Sequence, residues 1–139
     1  MRLTQPAARR RSGAALVEAA FVLPVLLLLL YGIFCGTIMV LVVDEVDQSA
    51  REGARWASVR GWEYNFYTGN AAATADTITT YVKTTPVNLD PSLMTVTPTW
   101  QASNRAGQYV TVEVSYAWPG LGPFGAKTFV SRSTQQISY

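Results

Sequence analysis

Glu18 stands at the head of an uncharged stretch that runs from Ala19 to Val43. A carboxylate beside that much apolar surface is costly to desolvate, so it needs a positive partner or water. The residues leading to it read Arg10-Arg11-Ser12-Gly13-Ala14-Ala15-Leu16-Val17-Glu18. Elsewhere the usual reactive groups are missing. The chain has no His, which removes the commonest metal ligand and the commonest general base. Its one Cys, Cys35, lies inside the apolar stretch. No GxSxG, SxxK, P-loop or Asp-x-Asp arrangement is present. The chemistry expected of this chain is charge pairing and apolar packing, not catalysis. No catalytic residue, cofactor or metal ligand is expected.

The apolar stretch sets the organisation. Its 25 residues, Ala19 to Val43, exceed the roughly 30 Å hydrocarbon core of a bilayer when wound as a helix. A cleaved secretory signal has a shorter apolar core, about 7–15 residues, followed by a small-x-small cut site. None follows here, and Phe34 before Cys35 argues against a lipoprotein site. The stretch is therefore expected to stay in the membrane. Pro24 lies in its first half, where a lipid helix tolerates it if neighbours satisfy the freed carbonyl.

Arg2, Arg9, Arg10 and Arg11 precede the stretch with no acid among them, which places residues 1–13 on the cytoplasmic side. Residues 44–139 then lie outside, with seven bases and eight acids. The net charge of +2 thus comes from the leader, and it is no sign of nucleic-acid binding. About 95 residues remain for one small domain with a modest core, without a disulfide.

Helical spacing continues past the stretch. Val46, Ala50, Gly53 or Ala54, and Ala57 form a small-residue stripe, and Asp47 and Arg51 are four apart. One helix is expected from about Ala14 to about Val59, about 70 Å long by its rise, with Gly61 ending it. The stripe reads first as a packing seam for the chain's own domain. Residues Gly61 to Asn70 read as an aromatic loop, and Ala71 to Lys83 as a second helix with Ala75, Ile78 and Val82 on one face. Leu93 to Trp100 alternates like a half-buried strand, with Pro98 marking an edge. Ser103 to Gly107 is a hairpin loop. Tyr109 to Trp118 is the clearest strand, with Val110, Val112, Val114 and Tyr116 inward, and Lys127 to Ser138 is the last. The expected fold is α+β: a long N-terminal transmembrane helix continuing into a small domain with a second helix and a three-stranded antiparallel sheet.

The segment from Arg10 to about Arg60 resembles the TadE-like family, pilin-like subunits of tight-adherence pilus systems. The likeness rests on the run from Arg10 to Glu18, on Phe21-Val22-Leu23-Pro24 with the leucines that follow, and on Ala50-Arg51-Glu52-Gly53-Ala54-Arg55. Major pilins of these systems are much shorter and usually carry Tyr after the glutamate. Here Ala19 follows Glu18 and a folded domain is attached, so the resemblance is to a minor pilin. It implies a pilin-like fold and cleavage by a membrane prepilin peptidase between Gly13 and Ala14. It further implies that Glu18 pairs with the new Ala14 amine of a neighbouring subunit. The implied partners are other pilin subunits, the prepilin peptidase, the inner-membrane assembly machinery and the lipid bilayer, and the implied role is adhesion.

Two further groups of residues are candidate contacts. Gly32 and Gly36 make a small-xxx-small face for close helix packing. Trp62, Tyr64, Phe66, Tyr67 and Trp118 are the candidate partner surface, because aromatic residues dominate interface hot spots. The competing reading of the chain is an uncleaved, single-pass membrane anchor carrying an extracytoplasmic binding domain outside any filament.

Overall fold

The computed structural model describes residues 8–138, with side chains from residue 13. Residues 1–7 of the basic leader lie outside the described residues. The chain forms two compact units, which meet in sequence between Thr37 and Ile38. The helix α1 runs from Ala8 to Ser58. Its start lies before the Ala14 expected from sequence.

In the first unit the described large apolar side chains of α1 are exposed. Phe21 is 75% exposed and Leu28 71%. The helix is long and apolar enough to cross a membrane. Its polar guests are satisfied internally: the Thr37 hydroxyl donates to the Ile33 carbonyl at 2.9 Å. Among the described residues of this unit, only Cys35 is buried.

The second unit is α+β. Beyond the last turns of α1 it contains α2 (Trp62–Thr68), α3 (Ala75–Thr84), a 3-10 turn (Pro91–Leu93), and strands β1 (Met94–Trp100), β2 (Tyr109–Trp118) and β3 (Lys127–Gln136). The strands form one antiparallel sheet in the order β1-β2-β3. Val96 faces Val114, and Val114 faces Ser131. Pro98 lies on β1, an edge strand, where its missing N–H breaks no ladder. Alternation on β2 buries Val110, Val112, Val114, Tyr116 and Trp118 on one face.

That face packs in one core with Val46, Ala50, Ala54 and Ala57 of α1 and with Ile78 and Val82 of α3. The stripe of small residues is thus the seam of its own domain. Its closest point is Gly53. A Cβ there would lie 2.5 Å from Val82 Cγ2 and 3.2 Å from Val112 Cγ1. Only a residue without a side chain lets the α1 backbone approach both elements.

Three local expectations are corrected. Residues 62–68 are helical, not a loop. This helix buries no residue, so no apolar periodicity announces it. Backbone and carboxylate contacts hold it: the Trp62 N–H donates to the Asn104 carbonyl at 2.6 Å, and the Ala106 N–H donates to Glu63 Oε2 at 3.2 Å. Secondly, Gly61 does not end α1. It is buried and extended, with φ of −70°, and serves as the N-cap of α2. Gly69 is the left-handed stop, with φ of +73° and its N–H on the Asn65 carbonyl. Thirdly, α3 starts at Ala75 because Thr74 and Thr77 form a capping box. The Thr74 N–H donates to Thr77 Oγ1 at 2.9 Å, and the Thr77 N–H to Thr74 Oγ1 at 3.3 Å. Ala75 is therefore a first-turn residue and exposed, while Ile78 and Val82 are buried.

Gly53→Ala should destabilise the second unit by about 1–3 kcal/mol through overpacking. Thermal melts of the purified chain in detergent, followed by near-UV circular dichroism, measure the loss. Adding Val82→Ala should cost less in the Gly53→Ala background than in wild type, because it clears the clashing methyl. Strictly additive losses would mean the close approach is not what constrains Gly53.

Candidate functional site

The candidate residues fall on three separate places. Gly13, Ala14 and Glu18 are all exposed on α1. A Cβ on Gly13 would meet nothing within 4 Å. Glu18 makes no hydrogen bond or ion pair with any described residue. It lies one helical turn beyond Ala14, so the carboxylate and the Ala14 backbone share one side of the helix. A positive group from outside the chain would find this carboxylate open.

Gly32 and Gly36 are also one turn apart, and both are half-buried. A Cβ at either position would meet nothing within 4 Å. Together they leave a shallow notch on the helix that the chain itself does not fill.

The aromatic group divides. Trp62, Phe66 and Tyr67 are 64%, 86% and 72% exposed on α2. Phe66 and Tyr67 meet edge to face at 5.6 Å. Trp62 and Phe66 wall a cleft of about 470 Å³ floored by Ala71 and Ala72. Tyr64 is half-buried, and the Arg60 guanidinium lies 5.7 Å from its ring centre. Trp118 does not belong to a partner surface. It is buried at the end of β2, with the Phe129 ring 5.9 Å away. Inward alternation from Val110 reaches it, and that pattern was the signal against exposure.

Sequence reading missed a second aromatic cluster. Trp56 stacks on Tyr81 at 5.1 Å, and Arg60 sits over the Trp56 ring at 4.4 Å. The i, i+4 spacing of Trp56 and Arg60 on a helix was the available signal. It also missed the carboxylates that tie loops to helices. Glu45 Oε1 accepts from the N–H groups of Val87 and Asn88, each at 3.2 Å, and from Asn88 Nδ2 at 3.3 Å. Asp47 pairs with Arg51 and accepts from the Ser131 hydroxyl. The Ser92 hydroxyl and N–H both donate to Asp90, which holds its carboxyl below the usual aspartate range. That cap contributes at neutral pH and is lost as pH falls through the lowered value. Among the described residues, no three His, Cys, Asp or Glu gather as a metal-binding group.

Residues 13–55 match the family model described as TadE-like protein. The similarity to TadE-like proteins is confined to this segment. The TadE-like match opens at Gly13, includes Glu18, Gly32 and Gly36, and closes at Arg55 in the packing seam. α2, α3 and the sheet lie outside it. Comparison with curated proteins and with solved structures gave no match.

Exposure separates the two tryptophans energetically. Trp118→Ala should cost about 3–5 kcal/mol of stability by emptying core volume. Trp62→Ala should change stability by no more than about 0.5 kcal/mol. Chemical denaturation of the two variants side by side checks both, and similar losses would contradict the assignment of Trp62 to a free surface.

Proposed function

We propose that this chain is a minor pilin of a tight-adherence pilus system. The TadE-like match over residues 13–55 carries the reading. The exposed apolar face of α1 supports it, because such a surface must be covered by lipid or by neighbouring helices. In this reading α1 anchors the chain in the inner membrane with its basic end in the cytoplasm and residues beyond the apolar stretch outside.

A prepilin peptidase cuts between Gly13 and Ala14. The cut removes the arginine-rich leader and leaves an ammonium group at Ala14. In the assembling pilus Glu18 of one subunit takes up the Ala14 ammonium of another, so that neither charge stays unpaired in apolar surroundings. Gly32 and Gly36 let a neighbouring helix approach closely. The second unit faces other pilus proteins, with Trp62, Phe66 and Tyr67 as contact residues. It does no chemistry, and adhesion is a property of the assembled pilus.

Two experiments test this. Intact-mass measurement of the protein from its native membrane should show a chain beginning at Ala14, and Gly13→Arg should abolish the shift. A native protein that keeps its leader in cells with an active prepilin peptidase would instead support an uncleaved membrane anchor.

The second experiment concerns assembly. Glu18→Ala and Glu18→Gln should both be cut and inserted normally yet co-purify poorly with pilin partners. An unpaired ammonium in an apolar setting costs on the order of a few kcal/mol, enough to lower recovery at least tenfold. Undiminished co-purification of both variants would show that Glu18 has no pairing role and merely reaches water at the membrane surface.

A further inference from the structure

Arg55 and Arg60 line one cleft of about 420 Å³, together with Glu52, Trp56, Val59 and Tyr81. The ion pairs among the described residues lie elsewhere, between Arg51 and Asp47 and between Arg132 and Glu113. Neither cleft arginine has a carboxylate partner among the described residues. Yet Arg60 is held in place. Its guanidinium lies 4.4 Å from the Trp56 ring centre and 5.7 Å from that of Tyr64. Its Nη1 donates to the Trp56 carbonyl at 3.3 Å. Trp56 is itself backed by Tyr81, stacked at 5.1 Å. The rings and the carbonyl fix the plane of the guanidinium and occupy one of its five N–H donors. The others remain for an outside acceptor, already oriented. Arg55 is exposed and adds a second guanidinium to the same cleft.

We propose that this cleft recognises a carboxylate carried on an acidic segment of a protein partner. Charge complementarity sets the class. The lining carries two positive charges and one negative, since Glu52 lies in the cleft and accepts from Gln48 Nε2 at 2.9 Å. A net charge of +1 suits a singly charged carboxylate. A phosphate dianion would meet the Glu52 carboxylate with excess charge. The planar fork of Arg60 matches the two oxygens of a carboxylate, and the walls of Trp56, Val59 and Tyr81 suit the aliphatic part of a peptide segment. Capping the end of α1 accounts for one donor of Arg60. It does not account for a cation clamped among rings with no counter-charge among the described residues. This site stands apart from the pilin reading: it depends on no cleavage and no filament.

The test uses the full chain in detergent and a fluorescein-labelled hexaglutamate peptide, followed by fluorescence anisotropy. Saturable binding is expected, and a hexaglutamine peptide should bind at least tenfold more weakly. Arg55→Gln should weaken hexaglutamate binding at least fivefold. Arg60→Lys, which keeps the charge but loses the planar fork and the stacking, should do the same with an unchanged near-UV spectrum. Arg105→Gln removes the same charge outside the cleft and should change affinity less than twofold.

Equal losses for Arg55→Gln and Arg105→Gln would overturn the proposal in favour of net charge alone. Unsaturable binding would overturn it outright. Displacement of the peptide by inorganic phosphate at equal concentration would replace the acidic segment by a small-anion site. Arg55 is exposed and its side chain makes no hydrogen bond or ion pair among the described residues, so its variant keeps the test decisive even if Arg60→Lys is unstable.

Discussion

The close approach of α1 to α3 and β2 is the constraint on which the second unit depends. Ala50, Gly53, Ala54 and Ala57 bring helix backbone, not side chains, against Val82 and Val112. A seam built this way has little volume, so the residues opposite must be compact and branched. Val110, Val112 and Val114 on β2 and Ile78 and Val82 on α3 meet that need. Trp56 and Tyr81 stack at the partly buried edge of this core, whereas Trp118 is buried in it beside Phe129. The rings that flank Arg60 stand where they do because the seam has no room for them. A thin core also leaves much of the domain's order to hydrogen bonds.

Those bonds are concentrated at a few carboxylates and backbone contacts. Glu45 holds the segment after α3 through two backbone N–H groups. Glu63 holds the loop between β1 and β2 through Ala106. The Ser138 N–H donates to the Ser58 carbonyl at 2.8 Å, which ties the end of the sheet to the last turn of α1. Asn104 adds a link from its Nδ2 to the Ala73 carbonyl at 2.8 Å. Each contact joins residues more than thirty positions apart in sequence. They are long-range closures made by short polar side chains or by the backbone, the kind of contact that no local pattern announces.

This explains what was legible in the sequence. β2 was legible to the residue because strict alternation over a half-buried surface has one structural solution. The edge position of β1 followed from Pro98, and the seam from a small-residue stripe at helical spacing. α2 was not legible, since it buries nothing and is positioned by Asn104 and Ala106, forty residues away. Gly61 was misread for a related reason: a glycine after a helix is usually its left-handed stop, but here it enters a buried, extended link to the next helix. Of the aromatic candidates, Trp118 is the next inward position after Tyr116 on β2, and it is buried. The partner of Tyr64 was hidden because Arg60 lies in the link between α1 and α2, outside either helix.

The TadE-like match divides the chain along the same physical line. It covers the exposed apolar face, with Glu18 and the two-glycine notch, and continues through the seam as far as Arg55. An apolar helix can be reused wherever a membrane or a neighbouring helix covers it. The seam must come with it, because the core of the domain includes Val46, Ala50, Ala54 and Ala57 of that helix. Nothing in that requirement dictates the surface of the mounted domain. Arg60, the exposed face of α2 and the sheet all lie beyond Arg55. They are free to take whatever side chains a partner demands, provided that Val82 and Val112 still meet Gly53. Arg55, which closes the matched segment, and Arg60, five residues on, thus line one cleft where the seam meets a surface free to vary.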